Sequence, residues 1–376
     1  MRHDAGVADD LHTVFAPPDD PAPTWAAPGR RSITLGASML LSGLLTLLLS
    51  LLPAPYVVNQ PGPTRDVLGE MGGTPLISIS GAQTYPSTGQ LRLTTVSATG
   101  MPGFPAYPFQ VLGAWSSPSS RVLPLESQVS STATREEIDE QNQLQMVSSQ
   151  ELAVVAALTE LGYEVPATLT VAGVMDGSGA DGVLAKGDIV VGLDGVPTKD
   201  YATLIRTLRD TAPGTTVQVD VHRGATRLRV PVVTGERPGG GALLGIVVDP
   251  NFDPPVEVTV NVPDIGGPSA GLMFALGIID MLTPEDEADG AIIAGTGTID
   301  ALGEVGPIGG IRQKLVGARR DGAAWFLAPR GNCGEVVGNT PRGLRVVAVS
   351  TLHEAREAVV AIGSGKGEGL PTCLPE

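Results

Sequence analysis

The sequence is poor in the side chains that bind transition metals or act as bases at neutral pH. Among 376 residues there are four histidines and two cysteines. His3 and His12 lie in a polar N-terminal stretch, and His222 and His353 are expected to be surface residues. These histidines are too few and too scattered for a Ser-His-Asp triad or a His-Glu-x-x-His zinc site. We therefore expect no metal and no cofactor.

Positive charge is also scarce. The chain has 24 lysines and arginines against 40 acidic residues, a formal net charge of -16. Nucleic-acid binding depends on basic patches, and the sequence has none, so no nucleic-acid partner is expected. The phosphate-cradling motif Gly-x-x-x-x-Gly-Lys-Ser/Thr is absent too, and residues 182–187 match it only superficially. The sequence therefore predicts a function that does not use ATP.

One long run of the chain carries no charge. Residues 33–52 supply about the ~20 apolar residues that a helix needs to cross a bilayer. A cleaved signal peptide is the alternative, but its apolar run is usually shorter and ends at an Ala-x-Ala site. Arg30 and Arg31 precede the run, and the next basic residue is Arg65. The positive-inside rule then predicts a cytoplasmic disordered tail over 1–32, a transmembrane helix, and extracytoplasmic domains after it.

The chain is organised around residues 264–271, where a serine lies among glycines. Before it, residues 256–262 alternate apolar and polar side chains, which predicts a strand. After it, residues 269–282 are apolar on every side, which predicts a buried helix with Pro268 in its first turn. Ser269 would then lie at a helix N-terminus, where free amides stabilise a developing negative charge. A turn with a simple helix cap is the alternative.

A lysine is predicted on the buried face of a second helix. Residues 309–320 read as amphipathic, with Ile311, Leu315 and Ala318 on the apolar stripe, and Lys314 falls on the same stripe. Burial lowers the pKa of a lysine, and the neutral amine can deprotonate a serine hydroxyl. The two stretches together predict a Ser-Lys pair.

These stretches resemble the proteolytic domain of the Lon (endopeptidase La) family. The Gly-Pro-Ser-Ala-Gly of 267–271 resembles its nucleophile motif, and 307–314 resembles its lysine motif. The Ala-Gly-Thr-Gly of 294–297 is similar to the small-Thr-Gly step that the family places beside the pair.

The resemblance implies a role for five residues. Ser269 would be the nucleophile, Lys314 the base, and Thr296 the residue that orients the lysine, with Gly267 and Ala270 in support. Amides at the start of the serine helix would bind the oxyanion.

The chain departs from the family in one respect. ATP-dependent members carry an acid three positions before the serine, whereas this chain has Gly266, and the nearest upstream acid is Asp264. A role for a carboxylate at the site is therefore not expected.

Residues 162–236 resemble a PDZ domain. The resemblance rests on 187–195, a strand and turn typical of bacterial PDZ modules, with 201–208 as the groove helix. Residues 161–163 are a candidate for the loop that receives a peptide carboxylate. The alternative is a small domain that acts only as a spacer.

The expected fold class is α+β, a Lon-type proteolytic domain with a PDZ domain inserted in it or preceding it. Residues 73–161 are expected to form a β-hairpin and a helix that begin the protease domain. The hairpin strands would be 76–79 and 91–96, and the helix would be 146–161. Residues 237–363 would form the rest of that domain with the dyad, and 364–376 a flexible tail.

The sequence thus predicts an ATP-independent, membrane-anchored serine endopeptidase that cleaves exported or membrane proteins, with polypeptides bound through the PDZ groove. A non-catalytic PDZ scaffold at the membrane is the main alternative, and a cytoplasmic signalling protein would follow from the reverse topology. Assembly into a homo-oligomer stays open. Cys333 and Cys373 either pair, if the compartment is oxidising, or remain free thiols.

Overall fold

The computed structural model describes residues 29–130, 132–237, 240–263 and 265–374. Most of the predicted cytoplasmic tail lies outside these ranges. The helices are α1 (Arg30–Ser50), α2 (Pro108–Trp115), α3 (Arg135–Glu160), α4 (Tyr201–Asp210), α5 (Gly271–Leu282), α6 (Ile311–Arg320), α7 (Cys333–Val336) and α8 (Leu352–Gly363).

The predicted apolar span is helical. Helix α1 is long and apolar enough to cross a membrane, and in the described part of the chain it is the one helix that meets both conditions. Its first two residues are Arg30 and Arg31, and no charged residue follows within the helix. The chain from Pro53 onward forms a separate compact unit.

Two large sheets make up this second unit. The strands of four or more residues are β1 (Tyr56–Asp66), β2 (Ile77–Ser80), β3 (Gln90–Thr99), β4 (Arg121–Pro124), β5 (Ala167–Val174), β6 (Ile189–Leu193), β7 (Thr216–Arg223), β8 (Thr226–Val233), β9 (Ile246–Phe252), β10 (Glu257–Val260), β11 (Ile292–Gly295), β12 (Trp325–Pro329) and β13 (Arg345–Val349). Helices and strands both contribute to the core, so the predicted α+β class is confirmed.

The first sheet has the strand order β13-β12-β11-β3-β1-β4. Strands β3, β11, β12 and β13 are parallel, whereas β1 is antiparallel to both of its neighbours. The predicted hairpin is wrong, because β3 pairs with β1 and β11, while β2 pairs with β10 in a separate two-stranded sheet. Strand β1 was not predicted, because Pro61, Gly62 and Pro63 lie inside it. These residues lie where the pairing register of β1 against β3 shifts.

Helices cover both faces of the first sheet. Because side chains alternate along a strand, Ile293 of β11 joins the core shared with α3, α5 and α8, and Ala294 joins the core on the α6 side. Helix α3 begins eleven residues before its predicted start, because Thr134 and Glu137 form a reciprocal capping box. Its second half packs on α5, which is buried on all sides as predicted and carries one acidic residue, Asp280.

The second sheet has the order β8-β7-β6-β5-β9 and matches the predicted PDZ segment, with α4 capped by Asp200. Its edge strand β9 was predicted to belong to the protease segment, yet all seven of its residues pair with β5. The predicted boundary at 236/237 therefore does not coincide with the boundary between the sheets. The strands of the second sheet lie in the chain between elements of the first.

A disulfide closes the C-terminal region. The sulfurs of Cys333 and Cys373 are bonded across a sequence separation of 40 residues. The amide of Ala348 in β13 also donates to the carbonyl of Pro371. The last described residues are thus held against the first sheet, where a flexible tail was predicted.

Candidate active site

The loop that carries the serine is held by helix α3. Gly267 has a φ of 85°, a conformation that favours glycine, and its amide donates to the carbonyl of Asn142 at 3.0 Å. The hydroxyl of Ser149 donates to the carbonyl of Pro268 at 3.0 Å. The predicted strand before the loop is present as β10. The loop is therefore fixed from one side by two polar residues of α3.

Helix α5 begins later than predicted. Its first residue is Gly271 with Ala270 as the N-cap, so Pro268 and Ser269 lie in the preceding turn. The carbonyl of Ser269 accepts hydrogen bonds from the amide of Gly297 and the hydroxyl of Thr296, both at 2.9 Å. That carbonyl is therefore not part of the helix, and the amide of Met273, four residues further on, donates to the carbonyl of Ala270 instead.

The lysine reaches the site from the opposite face of the sheet. Lys314 lies in the first turn of α6, and Ile311, Leu315 and Ala318 are fully buried as the predicted stripe requires. Buried Asn332 holds the loop before α6, since its side chain both accepts from the amide of Ile308 and donates to its carbonyl at 2.9 Å.

The other end of α6 is anchored on β1. Arg320 donates to the carbonyl of Gly62 at 2.8 Å, and Asp321 accepts from the amide and the hydroxyl of Thr64 at 3.0 Å. The proline-containing bulge of β1 thus supports the helix that carries Lys314.

The two residues meet at the carboxyl end of β11. The Nζ of Lys314 lies 2.7 Å from the Oγ of Ser269 and 2.8 Å from the Oγ1 of Thr296. Thr296 follows β11 directly, and its hydroxyl donates to the Ser269 carbonyl. The side chains of Ser269, Lys314 and Thr296 therefore form one hydrogen-bonded chain.

Burial changes the chemistry of the amine. Lys314 is 3% exposed and Thr296 is 0% exposed. Loss of hydration lowers the pKa of Lys314 from 10.5 to about 7. Among the described residues no carboxylate lies within ion-pair distance of Lys314 to counteract this. A large fraction of the amine is consequently neutral near pH 7 and can accept a proton.

The five predicted site residues lie together. Ser269, Lys314 and Thr296 are in direct contact, while Gly267 and Ala270 contribute backbone geometry on either side of the serine. Asp264, the nearest acidic residue upstream of Ser269 in sequence, lies outside the described residues. Sequence reasoning missed Asn142, Ser149 and Asn332, because polar residues in a helix and a loop carry no motif of their own.

The candidate carboxylate loop of the PDZ segment lies at the end of α3. Gly162 has a φ of 83°, and the amides of Gly162 and Tyr163 donate to the carbonyls of Thr159 and Leu158. This arrangement is a helix C-cap, which ends α3. Residues 161–163 therefore terminate α3, and Tyr163 lines a cavity together with Asp200 and Tyr201 at the start of α4.

The edge of the second sheet lies beside α4. Leu244, which precedes β9, is 2% exposed and belongs to the same core cluster as Leu204 and Leu208 of α4. At the other end of the helix the rings of Tyr201 and Phe252 meet edge to face, 6.3 Å apart. The space between α4 and β9 is thus the candidate peptide groove.

Helix α4 also contacts the segment that leads to the dyad. Arg209 pairs with Glu304 through both of its terminal nitrogens, and its Nη2 lies 3.6 Å from a carboxylate oxygen of Asp300. These acids lie in the turn between the short strands Thr298–Ile299 and Val305–Gly306, directly after Thr296. Helix α4 and the segment after Thr296 therefore share an ion-paired contact.

Comparison with known families agrees with this architecture. The family model for the Lon protease (S16) C-terminal proteolytic domain matches residues 246–361. A PDZ domain model matches residues 143–234. The chain thus combines a Lon-type proteolytic domain with a PDZ domain.

Individual relatives match over limited segments. Lon protease 2 of Herpetosiphon aurantiacus is 38% identical over 106 residues, which cover 26% of this chain and 13% of that protein. Lon protease 1 of Bacillus subtilis is 31% identical over 117 residues, covering 29% and 15%. The chain therefore spans about one seventh of the length of these relatives. The PDZ domain of the SdrC-like protein from Listeria monocytogenes is 23% identical over 22% of this chain and 86% of that chain, with a TM-score of 0.21.

The matched ranges and the packed structure divide the chain differently. The PDZ match begins at residue 143, within α3, although α3 packs in the core with α5. The Lon match begins at residue 246, at the first residue of β9, although β9 completes the second sheet. Each match therefore includes one element that packs with the other sheet.

Proposed function

We propose that this protein is a serine endopeptidase in which Ser269 attacks the peptide carbonyl and Lys314 is the general base. The observation that carries the proposal is the 2.7 Å contact between the Ser269 Oγ and the buried Nζ of Lys314. A surface lysine at this distance would be protonated and could not accept a proton. Here burial brings the pKa of the amine to about 7, which suits a base acting near neutral pH.

The reaction begins with the neutral amine. The hydroxyl of Ser269 donates to the Nζ of Lys314, whose own N–H donates to the Oγ1 of Thr296. As Oγ bonds to the substrate carbonyl carbon, its proton passes to Nζ. The resulting ammonium gives this proton to the departing amine when the peptide bond breaks, leaving an acyl-enzyme. Water then attacks the acyl carbon, Nζ accepts the water proton, and the return of that proton to Ser269 releases the acid.

The oxyanion is bound by amides at the start of α5 and just before it. The amides of Leu272, Met273 and Phe274 already donate to carbonyls. Among the described residues the amides of Ser269, Ala270 and Gly271 have no such acceptor, so they are the donors available to the developing charge. These donors lie at the start of α5 and in the turn before it.

The proposal includes membrane anchoring through α1, with the N-terminus in the cytoplasm and both domains outside. Arg30 and Arg31 at the start of the apolar helix support this orientation. An alkaline-phosphatase fusion after Pro63 should be active in cells. An inactive fusion would contradict this topology and would leave the catalytic proposal unaffected.

The proposal further includes recognition of polypeptides by the PDZ domain and hydrolysis without ATP. An extended peptide would add to the edge of β9 beside α4. Through Arg209 this helix contacts the turn that follows Thr296, so a peptide held there lies on the domain that borders the dyad. Cleavage of an unfolded polypeptide should proceed equally with and without ATP and Mg²⁺.

A serine-reactive phosphonate probe tests the catalytic core. The wild type should be labelled, and labelling should increase between pH 6 and pH 8 as the amine loses its proton. Ser269→Ala should abolish labelling. Lys314→Arg should do the same, because guanidinium keeps its proton, whereas Lys366→Arg, at an exposed lysine, should be labelled like the wild type. Labelling of Lys314→Arg at the wild-type rate would refute the role of Lys314 as base.

A further inference from the structure

One segment of the second unit carries no charge at all. Residues 93–120 contain no Asp, Glu, Lys, Arg or His. Since 17% of the chain is charged, about five charged residues would be expected in a stretch of this length. The segment includes α2, whose residues are apolar except for Gln110. Such a composition is typical of a helix that is apolar on both faces.

Only one face of α2 is covered within the structure. Val111 and Ala114 are each 4% exposed and pack with Val58 and Ala106. The opposite face and the turn before it form an apolar patch, with side chains between 55% and 62% exposed. The patch consists of Phe104, Phe109, Leu112 and Trp115. Four large apolar side chains within twelve residues of sequence are more than scattered surface exposure, and such patches mark interaction sites.

The patch is built where the chain first enters the second unit. The amide of Ala54 donates to the carbonyl of Ala106, the residue that follows the turn containing Phe104. The rings of Tyr56 and Trp115 meet edge to face at 6.1 Å. Ala54 is only four positions after Ser50, the last residue of α1. The uncharged segment is thus attached to the residues that directly follow the apolar helix in sequence.

Cations border the patch. The guanidinium of Arg135 lies 4.3 Å from the centre of the Phe104 ring, and the side chain of Arg135 is 52% exposed. Arg121 follows the uncharged segment directly and is also half exposed. Each arginine also pairs with a carboxylate, Arg135 with Asp139 at 3.3 Å and Arg121 with Glu335 at 3.6 Å. Apolar and aromatic side chains bordered by arginine are characteristic of surfaces that lie at the boundary between lipid headgroups and acyl chains.

We infer that the patch of Phe104, Phe109, Leu112 and Trp115 lies in the headgroup region of the bilayer that α1 crosses, so that the second unit is attached to the membrane at two points. The inference rests on the proposed anchoring. A second attachment fixes the orientation of the unit, since a single flexible connection leaves rotation free. The occupant is lipid, because the patch adjoins the residues that directly follow the membrane helix.

Fluorescence of single-tryptophan chains tests the inference in the full-length protein. The chain has three tryptophans, Trp25, Trp115 and Trp325. The Trp25→Phe/Trp325→Phe variant keeps Trp115 alone, and the Trp25→Phe/Trp115→Phe variant keeps Trp325 as control. Each is reconstituted at one copy per nanodisc, with lipids brominated near the top of the acyl chains. The fluorescence of Trp115 should be quenched relative to nanodiscs of unbrominated lipid, and its emission should be blue-shifted relative to that of Trp325. The fluorescence of Trp325 should not be quenched.

Matched surface variants sharpen the test. Leu112→Glu should abolish quenching of Trp115, whereas Leu144→Glu, at a residue 64% exposed on α3, should leave it unchanged. Equal quenching of Trp115 and Trp325 would overturn the inference. So would a blue shift that appears only when several copies share a disc, since it would identify a second copy as the occupant. Alkaline carbonate extraction reports separately on α1, so a chain that stays in the membrane without Trp115 quenching refutes the patch alone.

Discussion

Replacing Lys314 by methionine should stabilise the protein, by an amount that depends on pH. The side chain is 3% exposed, and its pKa falls from 10.5 to about 7. At 1.36 kcal/mol per pKa unit, the buried ammonium costs about 5 kcal/mol relative to the unfolded chain. Methionine keeps most of the volume and removes the charge. Loss of the two hydrogen bonds of Nζ lowers the free energy of unfolding by about 1 kcal/mol each. The free energy of unfolding of Lys314→Met should therefore exceed that of the wild type by about 3 kcal/mol at pH 7.

The sign of the pH dependence follows from proton binding. Between pH 7 and 10.5 the unfolded chain binds the lysine proton and the folded chain does not, so wild-type stability falls as pH decreases through this window. Below pH 7 both states are protonated and the cost is constant. The advantage of Lys314→Met should therefore be greatest at pH 6 to 7. It should vanish near pH ~9, where the cost of the ammonium equals the roughly 2 kcal/mol lost with the two hydrogen bonds, and reverse by about 1 kcal/mol at pH 10.

Urea unfolding of the full chain in detergent, followed by circular dichroism at pH 6, 8 and 10, measures this difference. Other groups that titrate, such as Asp280 with a pKa raised by burial to about 6, contribute equally to both proteins and cancel. Ser269→Ala retains the buried amine and should keep the wild-type pH dependence. A difference between wild type and Lys314→Met that is constant from pH 6 to 10 would refute the buried neutral lysine.

Two further substitutions test neighbouring features. Thr296→Val removes the oxygen that accepts a hydrogen bond from Nζ of Lys314. Nζ becomes an ammonium when it takes the serine proton, and a hydrogen bond to a charged group is worth about 1.5 to 3 kcal/mol. The kcat on a fluorogenic peptide should therefore fall about 10- to 100-fold. Thr296→Ser should restore most of it, and an unchanged kcat in the valine variant would remove Thr296 from the mechanism. Cys373→Ser opens the bridge to Cys333 and should lower the free energy of unfolding by about 3 to 5 kcal/mol under oxidising conditions. The same loss should appear when the wild type is reduced, and an unaltered urea midpoint in both cases would mean that the thiols are free in solution.

Ser269 and Lys314 could be singled out from sequence because each lies in a stretch with a strong local signal. Ser269 is surrounded by glycines before an apolar helix, and Lys314 interrupts an otherwise apolar stripe. Their contact could not be derived from either stretch, since it depends on two helices on opposite faces of a sheet. The residues that hold the loops, Asn142 and Asn332, act through backbone groups far away in sequence, and only the folded structure reveals such pairs.

The fold was less predictable where long-range pairing overrides local pattern. The strand run of 77–80 and that of 90–99 are neighbours in sequence, and a hairpin was the simplest interpretation. Strand β2 instead pairs with β10, more than 150 residues away in sequence. Strand β3 pairs with β1, which contains Pro61 and Pro63. Proline and glycine predict a break in a strand, but the bulge of β1 accommodates them because α6 supports its carbonyls.

The placement of β9 and α3 governs how this chain can be rearranged. A graft that exchanged residues 162–236 as a unit would remove β5 and leave the seven residues of β9 with an unpaired edge, which invites aggregation. A graft that began at residue 143 would instead take away the half of α3 that packs on α5 and holds Pro268 through Ser149. The second sheet and the segment that carries Ser269 therefore cannot be exchanged independently. Exchange of the whole PDZ segment would disrupt the site of Ser269 and Lys314, so a new peptide specificity has to arise by substitutions within the candidate groove.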